Sequence, residues 1–258
     1  MAKIFVLSLV GAAVLGLTAC ATLSSGQSLT GRVWILTELN GRPPVQGTTI
    51  SAEFREDNRV SGTAGCNNYN TSYTVDGSSL TFSDPAAATL MACAEPVMIQ
   101  EQAYFQALAA TASFELRDDR MTWLDADGNS LAEFESQSQD LAGTSWTVIS
   151  YNTGQAAVVS LISGTEITAD FAEDGQLGGS AGCNTYFASY ETEGNSIRIG
   201  APGSTRMFCA EPEGLMEQES QYLAALQTAA TYRIEGSTME MRTADGALAA
   251  MFSRALPQ

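Results

Sequence analysis

An eight-residue phrase occurs twice in this chain. Gly62-Thr-Ala-Gly-Cys-Asn-Asn-Tyr69 returns 117 residues later as Gly179-Ser-Ala-Gly-Cys-Asn-Thr-Tyr186. Each copy is succeeded by a second echo: Thr89-Leu-Met-Ala-Cys93-Ala-Glu95-Pro96, then Thr205-Arg-Met-Phe-Cys209-Ala-Glu211-Pro212. Self-similarity at a fixed spacing marks a repeated structural unit. The fold is therefore expected to be two like modules, and the shared residues are read as what each module needs in order to fold.

Five cysteines are present, and four of them lie in the echoes. In an oxidising compartment four cysteines allow three pairings. A unit that duplicates as a closed module selects Cys66 with Cys93 and Cys183 with Cys209. Each bridge would close a loop of about 27 residues, a constraint contributing roughly 3 to 4 kcal/mol in the chain-entropy model. The same sulfurs support a second reading. Cys93 and Cys209 precede expected helix starts, where a thiol pKa falls, and Met91 and Met207 add soft ligands suited to Cu(I). Neither half has the Cys-x-x-Cys spacing of a thiol oxidoreductase.

The fifth cysteine, Cys20, closes the N-terminal segment. One positive charge at Lys3, an apolar stretch from Ile4 to Leu17, and then Leu17-Thr18-Ala19-Cys20 read as a signal peptide over 1–19 that ends in a lipobox. The apolar stretch is short for a membrane-spanning helix. Cys20 is thus expected to carry acyl chains, each buried methylene contributing roughly 0.8 kcal/mol to anchoring. Ala21 in place of Asp favours the outer membrane, with the protein facing the periplasm. Residues 20–28, small and polar, read as a flexible tether.

Loss of residues 1–19 would remove Lys3 and no acid, leaving 11 basic against 29 acidic side chains, a balance of −18. With no clustered basic face, nucleic acid is excluded as a partner. Electrostatic attachment to anionic headgroups is disfavoured as well, which leaves the acyl anchor as the membrane link. Histidine is absent. Ser-His-Asp and Cys-His hydrolysis, imidazole acid–base work and the usual zinc sites go with it. No cofactor or metal is implied, and the chain is read as a non-enzyme.

Alternating or β-branched segments at Val33 to Leu39, Thr49 to Phe54, Arg59 to Gly62, Ser72 to Val75 and Leu80 to Ser83 read as short antiparallel strands. Asn40-Gly41, Asp57-Asn58 and Asp76-Gly77 supply the positive φ that tight turns require. The period then changes. From Pro96 an amphipathic helix is expected, with Tyr104, Phe105 and Leu108 on one side. Further strands are expected at Ser113 to Leu116, Met121 to Leu124 and Ser130 to Phe134. The second half repeats this order, with its helix expected from Pro212 to Thr228. The divisions are a first module over 29–135, a polar linker over 136–140 and a second module over 141–254.

At Gly-Cys-Asn-x-Tyr and Thr-x-Met-x-Cys, succeeded by a helix that holds Glu101 or Glu219, each half resembles the META domain family, typified by the HslJ heat-shock lipoproteins. The resemblance covers nearly the whole chain beyond residue 28. It implies an α+β fold, mainly antiparallel β: two similar modules, each a small incompletely closed β-barrel with one amphipathic helix. It also implies a part in envelope stress or drug tolerance, with no catalytic residues to carry over.

Other candidate sites are weighed against plainer roles. Asp125-x-Asp127-x-Asn129 begins like a calcium loop, but Ser130 and Ser136 stand where Gly and a bidentate Glu belong, so a hairpin tip is expected. Asn67, Asn68 and Asn184 either present amides to a ligand or serve turns through Asx hydrogen bonds. Trp34 and Trp146 match between the halves and read as core. Trp123 has Met241 as its counterpart, and is a candidate cavity-lining or exposed aromatic or a core residue. Three functions remain. The favoured one is a lipoprotein whose modules hold an apolar ligand, such as a lipid, or an envelope protein partner. Purely structural filled modules, and an enzyme using carboxylates or a thiolate, are the alternatives.

Overall fold

The computed structural model describes residues 28–83, 85–155 and 157–254. The signal peptide, Cys20 and all of the tether but Ser28 lie outside them. The first module comprises β1 (Val33–Leu39), β2 (Ser51–Phe54), β3 (Arg59–Thr63), β4 (Asn68–Asp76), β5 (Ser79–Phe82), β6 (Ala87–Ala88), α1 (Glu95–Ala110), β7 (Ser113–Arg117), β8 (Arg120–Leu124) and β9 (Ser130–Gln137). The second comprises β10 (Thr144–Asn152), β11 (Val158–Ser160), β12 (Thr168–Phe171), β13 (Gln176–Ser180), β14 (Thr185–Glu193), β15 (Ser196–Ile199), β16 (Gly203–Ser204), α2 (Leu215–Thr228), β17 (Thr231–Glu235), β18 (Thr238–Arg242) and β19 (Leu248–Arg254).

Each module is an eight-stranded antiparallel barrel. In the first, the order β3-β2-β1-β9-β8-β7-β5-β4 returns on itself through β3–β4; in the second, β10 pairs β19 to close the ring. One joint in each ring is thin. β5 meets β7 through the single register pair Ser79 and Ser113, and β15 meets β17 through Ser196 and Thr231. This is the incomplete closure expected of each barrel. Strand curvature comes from a β-bulge after Leu36 in β1 that recurs after Val148 in β10.

Period-two alternation sends Trp34, Phe54, Tyr69, Leu80, Trp123 and Phe134 inward, and all are buried. The helix touches β1, β9 and β5, which lie on opposite sides of the ring, so it crosses one mouth of the barrel. Tyr104 and Leu108 point in and are fully buried. The same plan in the second module puts Tyr222 and Leu226 inside, over Trp146, Phe171 and Phe252.

Three differences from the sequence-based expectation have clear causes. α2 starts at Leu215 and not at Pro212, because Gly214 adopts φ 86°, a left-handed conformation that a helix interior excludes. The linker is shorter than 136–140, since Ser136 and Gln137 belong to β9 and pair with Trp34 and Val33. The remaining linker residues are tied down too: Gln139 accepts the Ile234 N–H at 2.7 Å and donates to its carbonyl at 2.8 Å, stitching the linker to β17. The third difference is the presence of the short strands β6, β11 and β16. Pieces of two or three residues carry no measurable period.

Candidate functional site

The residues that recur form one scaffold, built twice. Asn67 is 2% exposed and uses all of its side-chain hydrogen-bonding capacity internally. Its Nδ2 donates to Glu101 Oε1 at 2.9 Å and to the Met91 carbonyl at 3.2 Å, while Oδ1 accepts from Thr89 Oγ1 at 2.8 Å and the Met91 N–H at 2.7 Å. The Asn67 backbone N–H donates to the other Glu101 oxygen at 2.8 Å. Asn184 repeats every bond with Glu219, Met207 and Thr205. The helix carboxylate thus grips the Gly-Cys-Asn turn, and the asparagine grips the Thr-x-Met segment. Thr-x-Met and Gly-Cys-Asn recur because they are two ends of this clamp.

A second clamp was not legible in the motifs. Gln100, beside Glu101, accepts the Val45 N–H at 2.5 Å and donates to Thr48 Oγ1 at 3.0 Å. Gln218 does the same to Ile162 at 2.7 Å and Thr165 at 3.0 Å. Extending the helix alignment one residue ahead of Glu101 and Glu219 would have shown the paired glutamines. Adjacent helix residues thereby hold two different loops of the barrel mouth. A third shared bond lies beneath: Tyr69 and Tyr104 hydroxyls meet at 2.6 Å, Tyr186 and Tyr222 at 3.0 Å. Burial raises the pKa of all four phenols well above the ordinary range.

The expected pairings are present. Cys66–Cys93 and Cys183–Cys209 are disulfides with Cα separations of 6.0 Å. These bonds occupy the sulfurs that a copper or redox site requires free. Asn67 and Asn184 are corrected from ligand candidates to clamp residues, since their amides are already spent. Asn68 starts β4 with its side chain exposed, and its N–H and carbonyl bond Thr89. Trp123 is corrected from a cavity-lining or exposed candidate to core: it is fully buried, with ring centroids 4.9 Å from Phe82, 4.6 Å from Phe134 and 5.8 Å from Tyr104. Asp125 to Asn129 is a hairpin tip, where Asp125 accepts the Asp127 and Asn129 N–H groups.

Trp123 lacks a tryptophan counterpart for a volumetric reason. Trp123 pairs Ala132, which pairs Leu39; Met241 pairs Ala250, which pairs Tyr151. Aromatic bulk supplied by β8 in one barrel is supplied by β10 in the other, as close packing of equal interiors demands. The exchange leaves the barrel mouths unequal. Beside Leu39 in the first module lies a cleft of about 380 Å³ between α1 and the β1–β2 loop, walled by Pro43, Val45, Pro96, Ile99 and Ala103. Counting from Tyr104 and Tyr222, the places of Ile99 and Ala103 are taken in the second module by Glu217 and Gln221. There Gln221 accepts a bond from Tyr151 at 3.2 Å, and Val159 and Leu161 pack onto the core. The second module instead has a cleft of about 330 Å³ farther along α2, lined mostly by polar residues such as Asn152, Gln221, Thr228, Thr243 and Asp245, so the two mouths differ in the position and character of their clefts.

The geometry defines a tandem of helix-plugged barrels, held by paired clamps, with a largely apolar cleft beside α1 and a more polar one beside α2. The chain belongs to the META domain family, whose profile matches residues 27–138 and again 139–255. No curated protein matches it. Among solved structures it is similar to an NMR structure of a protein from Burkholderia xenovorans, 26% identical, over 45% of this chain and 85% of that one, with a TM-score of 0.38. A crystal structure of a DUF4847 family protein from Bacteroides vulgatus is 14% identical, over 46% and 96%, with a TM-score of 0.34.

Proposed function

We propose that this is a non-enzymatic envelope lipoprotein, anchored through acylated Cys20 to the periplasmic face of the outer membrane, which holds an apolar ligand in its first module. One observation carries the reading: the mouth cleft beside α1 is walled by Leu39, Pro43, Val45, Pro96, Ile99 and Ala103, with Asn40, Arg42 and Gln100 completing its lining, whereas the cleft beside α2 is lined mostly by polar side chains. Ligand sites are concave and mostly apolar with a few polar groups, and this cleft has that character. Binding without bond chemistry is supported by the engagement of the reactive groups. The four cysteines of the modules are paired, and the buried carboxylates Glu101 and Glu219 are committed to asparagines.

The test uses a neutral fluorescent naphthylamine dye titrated into the intact chain. Saturable binding at one site per chain is expected. No saturable signal, together with native mass spectra of envelope-extracted protein that show no adduct beyond the acyl group on Cys20, would reject ligand holding in favour of filled, purely structural modules.

A second reading is favoured by the stapled loops. Leu90 and Met91 are 98% and 53% exposed, and Met207 and Phe208 are 56% and 83% exposed. Exposed apolar groups held on rigid loops suit a protein partner. Cross-linking from photoreactive residues placed at Leu90 and Phe208 in cells would capture such a partner in discrete bands; diffuse or absent products would remove this reading.

A further inference from the structure

We infer that the cleft of the first module takes an alkyl chain with a carboxylate head, and that Arg42 is the residue that pairs with the head. This rests on the apolar-ligand reading and names the ligand class.

Register places the cation. Leu39 and Arg42 face each other as an isolated antiparallel pair, with mutual backbone bonds of 2.8 and 3.1 Å. In the second module the residue opposite Tyr151, the counterpart of Leu39, is Val159. Arg42 thus stands where the second module places a valine. Paired residues of an antiparallel ladder project to the same face. Leu39 is buried toward the helix, so Arg42 is directed to the cleft, and both line it.

The charge at this place has no internal use. Among the described residues, the ion pairs of arginine engage Arg32, Arg117, Arg120, Arg233 and Arg242, each with a carboxylate, and Arg42 is in none of them. Arg55, Arg59, Arg198, Arg206 and Arg254 are in none of these pairs either, so what sets Arg42 apart is its place on the lining of an apolar cleft, where its charge can meet a bound anion. A guanidinium fork matches the two oxygens of a carboxylate, and a single negative charge suits one cation amid an acidic protein better than a doubly charged phosphate. The apolar walls at Val45, Ile99 and Ala103 accept the chain, whose burial gains stability with each methylene.

The test compares two fluorescent polyene probes of the same chain length, one ending in a carboxylic acid and one in an alcohol, titrated into the intact protein near neutral pH. The acid is expected to bind about three- to tenfold more tightly than the alcohol. Arg42→Gln should erase that preference while leaving alcohol binding in place. Ala103→Trp, which fills the cleft, should abolish both. Equal binding of acid and alcohol, or a preference untouched by Arg42→Gln, would overturn the assignment of Arg42 while leaving an apolar site standing. Failure of both probes to bind, or binding that survives Ala103→Trp, would remove the cleft itself as the site. The folded state of each variant is checked by thermal unfolding, since Arg42 is exposed and its replacement should leave the transition unchanged.

Discussion

At the scale of single residues, the positions that recur are those whose side chains have no freedom left. Asn67 completes four side-chain bonds in a buried site, and truncating it would take these partners from Glu101 Oε1, the Thr89 hydroxyl and the Met91 N–H and carbonyl, leaving only the backbone N–H at 67 on Glu101 Oε2. Unsatisfied buried groups cost more than the bonds themselves contribute. Asn67→Ala is therefore expected to destabilise the first module by about 2 to 4 kcal/mol in denaturant unfolding, and Asn184→Ala the second by a similar amount. A cost within about 0.5 kcal/mol, the range of an ordinary surface substitution, would mean that the asparagine was free to serve a ligand. Gly62 recurs for a steric reason of the same kind. A Cβ there would meet the Ser51 carbonyl oxygen, and Gly179 is closed off by Thr168 in the same way.

At the scale of elements, the helix is fixed to its barrel by residues that face three ways: glutamine to one loop, glutamate to another, and tyrosine to the interior. The two tyrosine pairs make this attachment sensitive to alkali. Their folded pKa values lie above the unfolded value near 10, so the unfolded chain loses phenolic protons at a pH where the native chain keeps them. Stability should be intact below about pH 10 and fall as pH rises beyond it, and tyrosinate absorbance from Tyr69, Tyr104, Tyr186 and Tyr222 should appear only with unfolding. Full ionisation of all eight tyrosines in native protein would contradict this packing. The disulfides act on the loop that precedes each helix. Replacing Cys66 and Cys93 together by alanine should lower stability by about 2 to 4 kcal/mol with the strand signal in circular dichroism retained, because the clamp and the staple hold the same loop independently.

Most strands and the existence of both helices were legible in the sequence, since alternation and turn chemistry at Asn40-Gly41 and Asp76-Gly77 are local signals. The disulfides were legible because duplication restricts pairing. The clamps were not. Asn67 and Glu101 are 34 residues apart, and nothing local distinguishes an asparagine bonded to a helix from one that serves its own turn. Trp123 misled because its partner in volume, Tyr151, sits on a different strand of the other module.

At the scale of the whole molecule, duplication separates what folding requires from what is free to differ. The modules are joined closely: Arg233 of β17 lies 3.0 Å from Glu53 of β2 and also contacts Glu235. Burial opposes the Arg233 charge, yet the surrounding carboxylates of Glu235, Glu53 and Glu240 raise its pKa. Within this pair the shared residues build the barrels, while the unshared ones, Leu39, Arg42, Ile99 and Ala103 against Tyr151, Val159, Glu217 and Gln221, set the shape of one mouth. Binding, on this view, belongs to the unshared set. Titration of the neutral naphthylamine dye into the intact chain and into Ala103→Trp and Ala224→Trp variants tests it most directly. Saturable binding is predicted that the first substitution abolishes and the second, in the more polar cleft beside α2, leaves unchanged. Binding lost equally in both, or retained in Ala103→Trp, would contradict it.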